Sequence, residues 1–330
     1  MKQPAPGRLT DYYFKLKRTL IYILRGYILW ICTGCSLLLC AAPGMAQKYT
    51  FTHYDIENGL IQSQVNKFYQ DSSHRLWMAT LGGACRFDGN EYYAVSKATG
   101  LLNNFVYAVF CDSRGRVWFG TNRGLANMQG HKLHNFATPA GFKNGWVTRI
   151  AEDRNGTIWL VIDNRLCKIS GNHIVSVDLP GQPNSIGAIA IDADGKLCVF
   201  KYHAGIFKLN VHTWQRIISL PQSLADLYVS KIIFDKKEKG KTYLLAFRGV
   251  FVAHNDTVMP YAADILNKAR RPFLSMDFDA AHNLWIGTTS GAYCVKKQQL
   301  FHFGAGNGFT DNSVSDIYRD RDNNLWLGTQ

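Results

Sequence analysis

Five times in 330 residues an aspartate stands six positions before a tryptophan: Asp71 and Trp77, Asp112 and Trp118, Asp153 and Trp159, Asp279 and Trp285, Asp320 and Trp326. Two weaker copies fill the long gap. Asp192 reaches Cys198 at the same spacing, and Asp235 reaches Tyr243 across two extra residues in the charged turn Lys236 to Lys241. The seven aromatic or substitute positions step by 41, 41, 39, 45, 42 and 41. A period of this length restricts the chain to architectures that repeat one supersecondary unit, each unit burying its apolar face against its neighbours.

Within a unit the residues before the aspartate alternate, as in Val65, Lys67 and Tyr69 interleaved with Asn66 and Phe68, and read as a strand. After the aspartate comes a polar pair and then His74, Gly115, Gly156, Gly195, His282 or Asn323. That pattern predicts a three-residue hairpin whose last residue has positive φ, with the aspartate accepting hydrogen bonds from the turn backbone. A second strand carries the tryptophan and often ends in Gly or Ala followed by Thr. A third starts at Gly83, Gly124, Gly205, Gly249 or Gly291, and a fourth follows through segments such as Leu133 to Phe136. Four short antiparallel strands in about 41 residues is the content of one propeller blade. The expectation is an all-β, seven-bladed propeller in which each tryptophan packs between neighbouring blades.

The chain ends bear on closure. Phe51 to Tyr54 matches Phe301 to Gly304 and predicts a fourth strand in the sheet that holds Leu325 to Leu327. Ser313 to Thr329 supplies a first and second strand, so the last blade is expected to be incomplete, lacking its third strand.

Residues 1–46 read as a signal peptide: basic residues up to Arg25, an apolar run from Tyr27 to Ala42, and small residues at Gly44 and Ala46. Residues 47–330 are then the propeller, exported to the periplasm, with no later run long enough for a membrane helix. Net charge is +13, of which the leader carries five, since six Lys and Arg stand there against Asp11. The excess favours acidic ligands or polyanions, and export argues against nucleic acid. Cys85, Cys111, Cys167, Cys198 and Cys294 fall on apolar strands without metal-ligand spacing and read as small core residues; no metal or cofactor is expected.

Loops that join strand four to strand one, and strand two to strand three, emerge on one face. They carry Asn104, Arg123, Arg165, Arg248 and Asn312, together with His203, Arg270 and Arg271, against few acids, namely Asp163, Asp226 and Asp311. Guanidinium groups bind carboxylates bidentately and amides both donate and accept, so this face suits a polar ligand, in particular an acidic oligosaccharide. The same residue types also serve as turn and solvated surface groups. No close carboxylate pair, nucleophile elbow, phosphate loop or dinucleotide fingerprint is present. A lyase using His203 and a protein-interaction scaffold are the alternatives.

These residues resemble the two-component regulator propeller repeat: strand, Asp, a Gly-bearing turn, Leu-Trp and Gly-Thr, with Gly-Leu introducing the next copy. The best matches are Asp112 to Thr121, Asp279 to Thr288 and Asp320 to Thr329. Blades three to five depart from it, with Val161 and Ile162 in place of Gly-Thr and Cys198 in place of Trp. The resemblance implies the sensor region of a membrane histidine kinase or hybrid regulator. Its partners would be an extracellular small molecule or oligosaccharide and a downstream kinase portion of a membrane-tethered parent, with a homodimer compatible.

Overall fold

The computed structural model describes residues 51–181, 185–254, 257–307, 309 and 313–329. The leader and Asn312 lie outside the described residues, as do Tyr49 and Thr50. Within the compact unit His53–Gln330, six four-stranded antiparallel sheets and one two-stranded sheet follow each other in chain order. In blade 2 the strands are Val106–Cys111, Val117–Thr121, Gly124–Gln129 and Lys132–Phe136. The first strands of neighbouring blades stand side by side around a central channel, so they form the inner ring.

The repeated aspartate holds each first hairpin. Asp112 accepts the backbone N–H groups of Arg114 and Arg116 on one oxygen, while the other takes Trp118 Nε1 at 2.8 Å and Arg116 Nε at 2.7 Å. Asp71, Asp153, Asp279 and Asp320 likewise accept from their own tryptophans at 3.1, 2.9, 3.1 and 2.7 Å. The predicted positive φ appears at His74, Gly115, Gly156, Gly195, His282 and Asn323. Six residues is therefore the distance that lets one carboxylate satisfy both a turn and a buried indole.

Gly-Thr has an equally local cause. A Cβ on Gly120 would stand 2.6 Å from the carbonyl oxygen of Val147, the first residue of the next inner strand. The threonine hydroxyl, buried, donates to the carbonyl of Gly124 across the following turn at 2.9 Å. Blade 4 solves the same contact differently. Phe200 stands where the glycine would be, and the glycine has moved to Gly187 on the inner strand, where a Cβ would meet Val229 O at 2.3 Å. Lys201 replaces the threonine and donates its buried ammonium to Pro180 O.

Apolar side chains fill the seams between blades. Trp77 packs with Val109 and Phe119 of blade 2, Trp118 with Leu160 of blade 3, and Tyr243 with Ile286 of blade 6. Cys198 occupies the tryptophan position between blades 4 and 5. All five propeller cysteines are buried and unbridged, and burial pushes the Cys198 thiol up to about 12. They are small core residues.

Blade 7 meets blade 1 as blade 2 meets blade 3. A Cβ on Gly328 would lie 2.7 Å from Val65 O, and Asp316 accepts from Phe68 N at 3.1 Å. Tyr318 Oη accepts from Gln70 N at 3.0 Å. The ring is thus closed through its inner strands. The expected amino-terminal strand beside Leu325 to Leu327 is corrected: His53 and Tyr54 join no strand, and the sheet has two strands among the described residues. Tyr54 instead places its ring 5.3 Å from Phe87 and 5.6 Å from Trp326, sealing the seam as a side chain rather than by a ladder. No helix among the described residues is long and apolar enough to cross a membrane, which says nothing of β-barrels.

Candidate functional site

Each inner strand begins at the face where the joining loops emerge. The residue immediately before it is Phe105 in blade 2, Trp146 in blade 3 and Tyr228 in blade 5, and these are 46%, 46% and 42% exposed. Phe247, in the turn between the second and third strands of blade 5, is 61% exposed. Large aromatics left in water around a channel mouth are the kind of patch that marks a binding surface. Tyr107 stands 6.3 Å from Trp146, and Tyr202 stands 6.0 Å from Tyr228, giving two aromatic groups on the face.

Their backbones are fixed. Asn122 N donates to Phe105 O and Asp163 N to Trp146 O, both at 3.1 Å. Asp163 then accepts the N–H groups of Asn144, Gly145 and Trp146 at 2.9, 3.0 and 3.1 Å. Burial works to raise the Asp163 carboxyl, but these backbone donors outweigh it and hold it below the ordinary carboxylate range. One of the few acids expected on this face therefore presents Trp146 rather than a ligand.

Sequence-predicted site residues are scattered between these roles. Arg123 and Arg248 are exposed in the turns after the second strands of blades 2 and 5. Arg165 is half-buried, opens the third strand of blade 3, and lies over the Phe142 ring at 5.1 Å. Asn104 accepts the backbone N–H of Lys97 at 2.7 Å and so ties down its own loop. His203, exposed and in the left-handed region, faces Asp226 at 3.5 Å beside Tyr202. Both members of that pair are open to water, which screens the interaction. The aromatics were missed, although a periodic signal for them exists: Phe105 and Trp146 each stand thirteen residues before the repeat tryptophan.

Two other places hold chemistry-bearing groups. Asp235, Glu238 and His282 have ligand atoms within 4.8 Å of one another. Their contacts are those of a closed turn: Asp235 takes two backbone N–H groups and His282 Nε2, and Glu238 takes Lys241. His282 thereby occupies, toward Asp235, the donor role that tryptophan has elsewhere. A cleft of about 640 Å³ lies at the hairpin end of the seam between blades 3 and 4, lined by Trp159, Trp214, Lys168 and His212. Its floor belongs to the Asp153 and Asp192 turns, whose carboxylates are occupied internally. The loop face has more groups uncommitted.

A family model described as "Two component regulator propeller" matches residues 100–123 and 308–330. No curated protein sequence matches the chain. Two structures of one extracellular domain from B. thetaiotaomicron, described as that of a one-component and of a hybrid two-component system, share 21% identity, with TM-scores of 0.68 and 0.65. They align over 86% and 82% of this chain and 39% and 38% of those chains, so the chain spans about two fifths of their length. Virginiamycin B lyase from Staphylococcus aureus aligns at 13% identity and TM-score 0.63, over 81% of this chain and 92% of that one. PorZ, a surface component of the type-IX secretion system of Porphyromonas gingivalis, aligns at 16% and 0.60, over 85% and 47%. At these identities the solved structures speak for the propeller fold alone, whereas the matched segments contain Asp112 to Thr121 and Asp320 to Thr329, the residues that build the hairpin and the seam. In these two segments the chain is similar to the two-component regulator propeller family, whose repeat they carry.

Proposed function

We propose that this propeller is the exported ligand-sensing part of a bacterial two-component signalling protein and that its loop face binds an extracellular oligosaccharide bearing an acidic group. The observation that carries the reading is the set of exposed aromatics, Phe105, Trp146, Tyr228 and Phe247, on the face that also holds Arg123 and Arg248. The apolar face of a sugar ring packs on an aromatic ring while its hydroxyls and carboxylate reach amides and guanidinium groups. The chain itself is read as non-catalytic. In this reading the propeller sits in the periplasm, its parent is membrane-tethered and carries the kinase portion, and ordering of the loops on binding is the signal passed onward.

Calorimetry with neutral and uronate-containing glycans, on the protein and on Trp146→Ala, Arg123→Ala and Arg248→Ala, tests this. A desolvated Arg-to-carboxylate contact is worth about 1.5 to 3 kcal/mol, so losing one weakens binding by about 10- to 150-fold. Equal or absent binding across all variants would sink the site. Turnover of a glycan would favour a lyase. Phe105 and Phe247 have no polar tip, which favours a protein-interaction scaffold as the second reading; capture of a peptide rather than a glycan by the same aromatics would establish it.

A further inference from the structure

All seven inner strands carry a bulge at their second residue, skipping Asn66, Tyr107, Thr148, Gly187, Ser230, Leu274 and Ser315 in the pairing with the neighbouring strand. A bulge re-aims the residue after it. The third residues form one tier around the channel: Lys67, Ala108, Arg149, Ala188, Lys231, Ser275 and Asp316 in blades 1 to 7. Charged and small side chains alternate through the first six, and the seventh is an acid.

The long members cross the channel. Arg149 of blade 3 donates to Ser230 O of blade 5, past Ala188 of blade 4, at 3.2 Å. Lys231 of blade 5 donates to Met276 O of blade 6 at 2.6 Å and to Ile317 O of blade 7 at 3.4 Å. Lys67 of blade 1 pairs with Asp316 of blade 7 at 2.6 Å. Three cations against one carboxylate leave two positive charges in the tier. Apart from Asp316, the acceptors these cations reach are the backbone carbonyls of Thr148, Ser230, Met276 and Ile317. Burial lowers the Lys67 ammonium, Asp316 raises it, and Lys231 and Arg149 lower it again, for a net value below the ordinary one. Of the five guanidinium N–H groups of Arg149, the carbonyls of Thr148 and Ser230 take one each. Like charges this close, with donors to spare, are stabilised by an anion.

We propose that Lys67, Arg149 and Lys231 form a channel site for a single oxyanion, a carboxylate, phosphate or sulfate group. Inner strands run inward from the loop face, and two residues of rise put the tier about 7 Å below it. Trp146 and Tyr228 immediately precede the inner strands that carry Arg149 and Lys231, so the tier lies beneath the loop face. Occupancy does not require the loop face to bind a glycan; a free anion and an acidic group on a larger ligand share the same chemistry.

The test is calorimetry and thermal unfolding of the protein with sodium phosphate, sodium sulfate, glucuronate and glucose, each against sodium chloride at equal ionic strength. Phosphate and sulfate are expected to bind and to raise the unfolding temperature relative to chloride. Lys231→Met and Arg149→Met should each weaken that binding about tenfold. Asp316→Asn removes the one competing negative charge and should tighten it, an opposite sign that general loss of structure does not produce. No difference between phosphate and chloride, or unchanged affinity in folded Lys231→Met and in Asp316→Asn, overturns the site. Glucuronate binding lost in Lys231→Met with phosphate binding retained would also overturn it. Inorganic anions binding while glucuronate does not identifies a free anion as the occupant and leaves the glycan reading to stand or fall on Trp146.

Discussion

Trp118 and Trp146 stand at opposite ends of neighbouring blades and show how differently the two faces of the ring use one residue type. Trp118 is fully buried in the seam between blades 2 and 3, its Nε1 held by Asp112. Trp146 is 46% exposed, with only its backbone held. At the hairpin end every polar group that the repeat demands is consumed by the repeat. At the loop end Asn104 and Asp163 are spent on the loop backbone, while Phe105, Trp146, Arg123 and Arg248 are left exposed. Such a division lets one face vary in chemistry while the other keeps seven sheets in register.

Breaking the hairpin end has the largest expected effect. Trp118→Ala should cost about 3 to 5 kcal/mol of stability in urea unfolding, because it empties a fully buried aromatic site. Trp326→Ala should cost less, since that ring is half-buried within the two-stranded sheet. Similar losses for the two would refute the claim that seam burial, rather than the motif itself, is what stabilises.

Next comes the carboxylate. Asp112→Ala leaves the buried Trp118 indole N–H and two turn N–H groups without their acceptor, and should cost about 1 to 3 kcal/mol. An unaltered denaturation midpoint would show that the motif aspartate is dispensable.

Acid should act on the loop end by a smaller amount. Asp163 has a folded-state value below its unfolded one of about 3.9. Its contribution is therefore present above that unfolded value and is lost as pH falls through the depressed folded one. Trp146 fluorescence is expected to change on acidification below about pH 4, and Asp163→Asn should remove that step. A step that persists in the variant would assign it elsewhere.

Smallest of all should be the stability change in Trp146→Ala, within about 0.5 kcal/mol, alongside a large loss in ligand binding. A loss of several kcal/mol would place Trp146 with Trp118 as a structural residue and remove the contrast between the faces.

Much of this was legible in the chain itself. The period, the six-residue Asp-to-Trp spacing and the positive-φ residue at His74, Gly115 or Asn323 are local consequences of one hairpin, and local geometry is written in consecutive residues. Even the departures were visible as substitutions, Cys198 for Trp and Val161 for Gly. What could not be read was whichever contact joins residues far apart. The transfer of the glycine from the second strand to Gly187 in blade 4 depends on how closely Val229 approaches from blade 5. Closure through Val65, Phe68, Asp316 and Gly328 replaced the ladder expected at Tyr54, because the inner strands already satisfy the seam.

For the candidate site the balance reverses. Arg123, Arg248 and the loops that bear them were placed on one face by the order of strands, and that was topology readable from sequence. Asn104 and Asp163 looked equally free there and are not, since each is spent on a loop backbone that folds back to it. Phe105, Trp146 and Tyr228 stood in a register of their own just ahead of the inner strands, but apolar residues in a strand-rich chain read as core until burial is known. Lys67, Arg149, Lys231 and Asp316 occur once each in their own blades and look like surface charges on alternating strands. Only closing the ring brings four blades to one axis, where proximity turns four separate residues, three of them half-buried around a buried Asp316, into one charged tier.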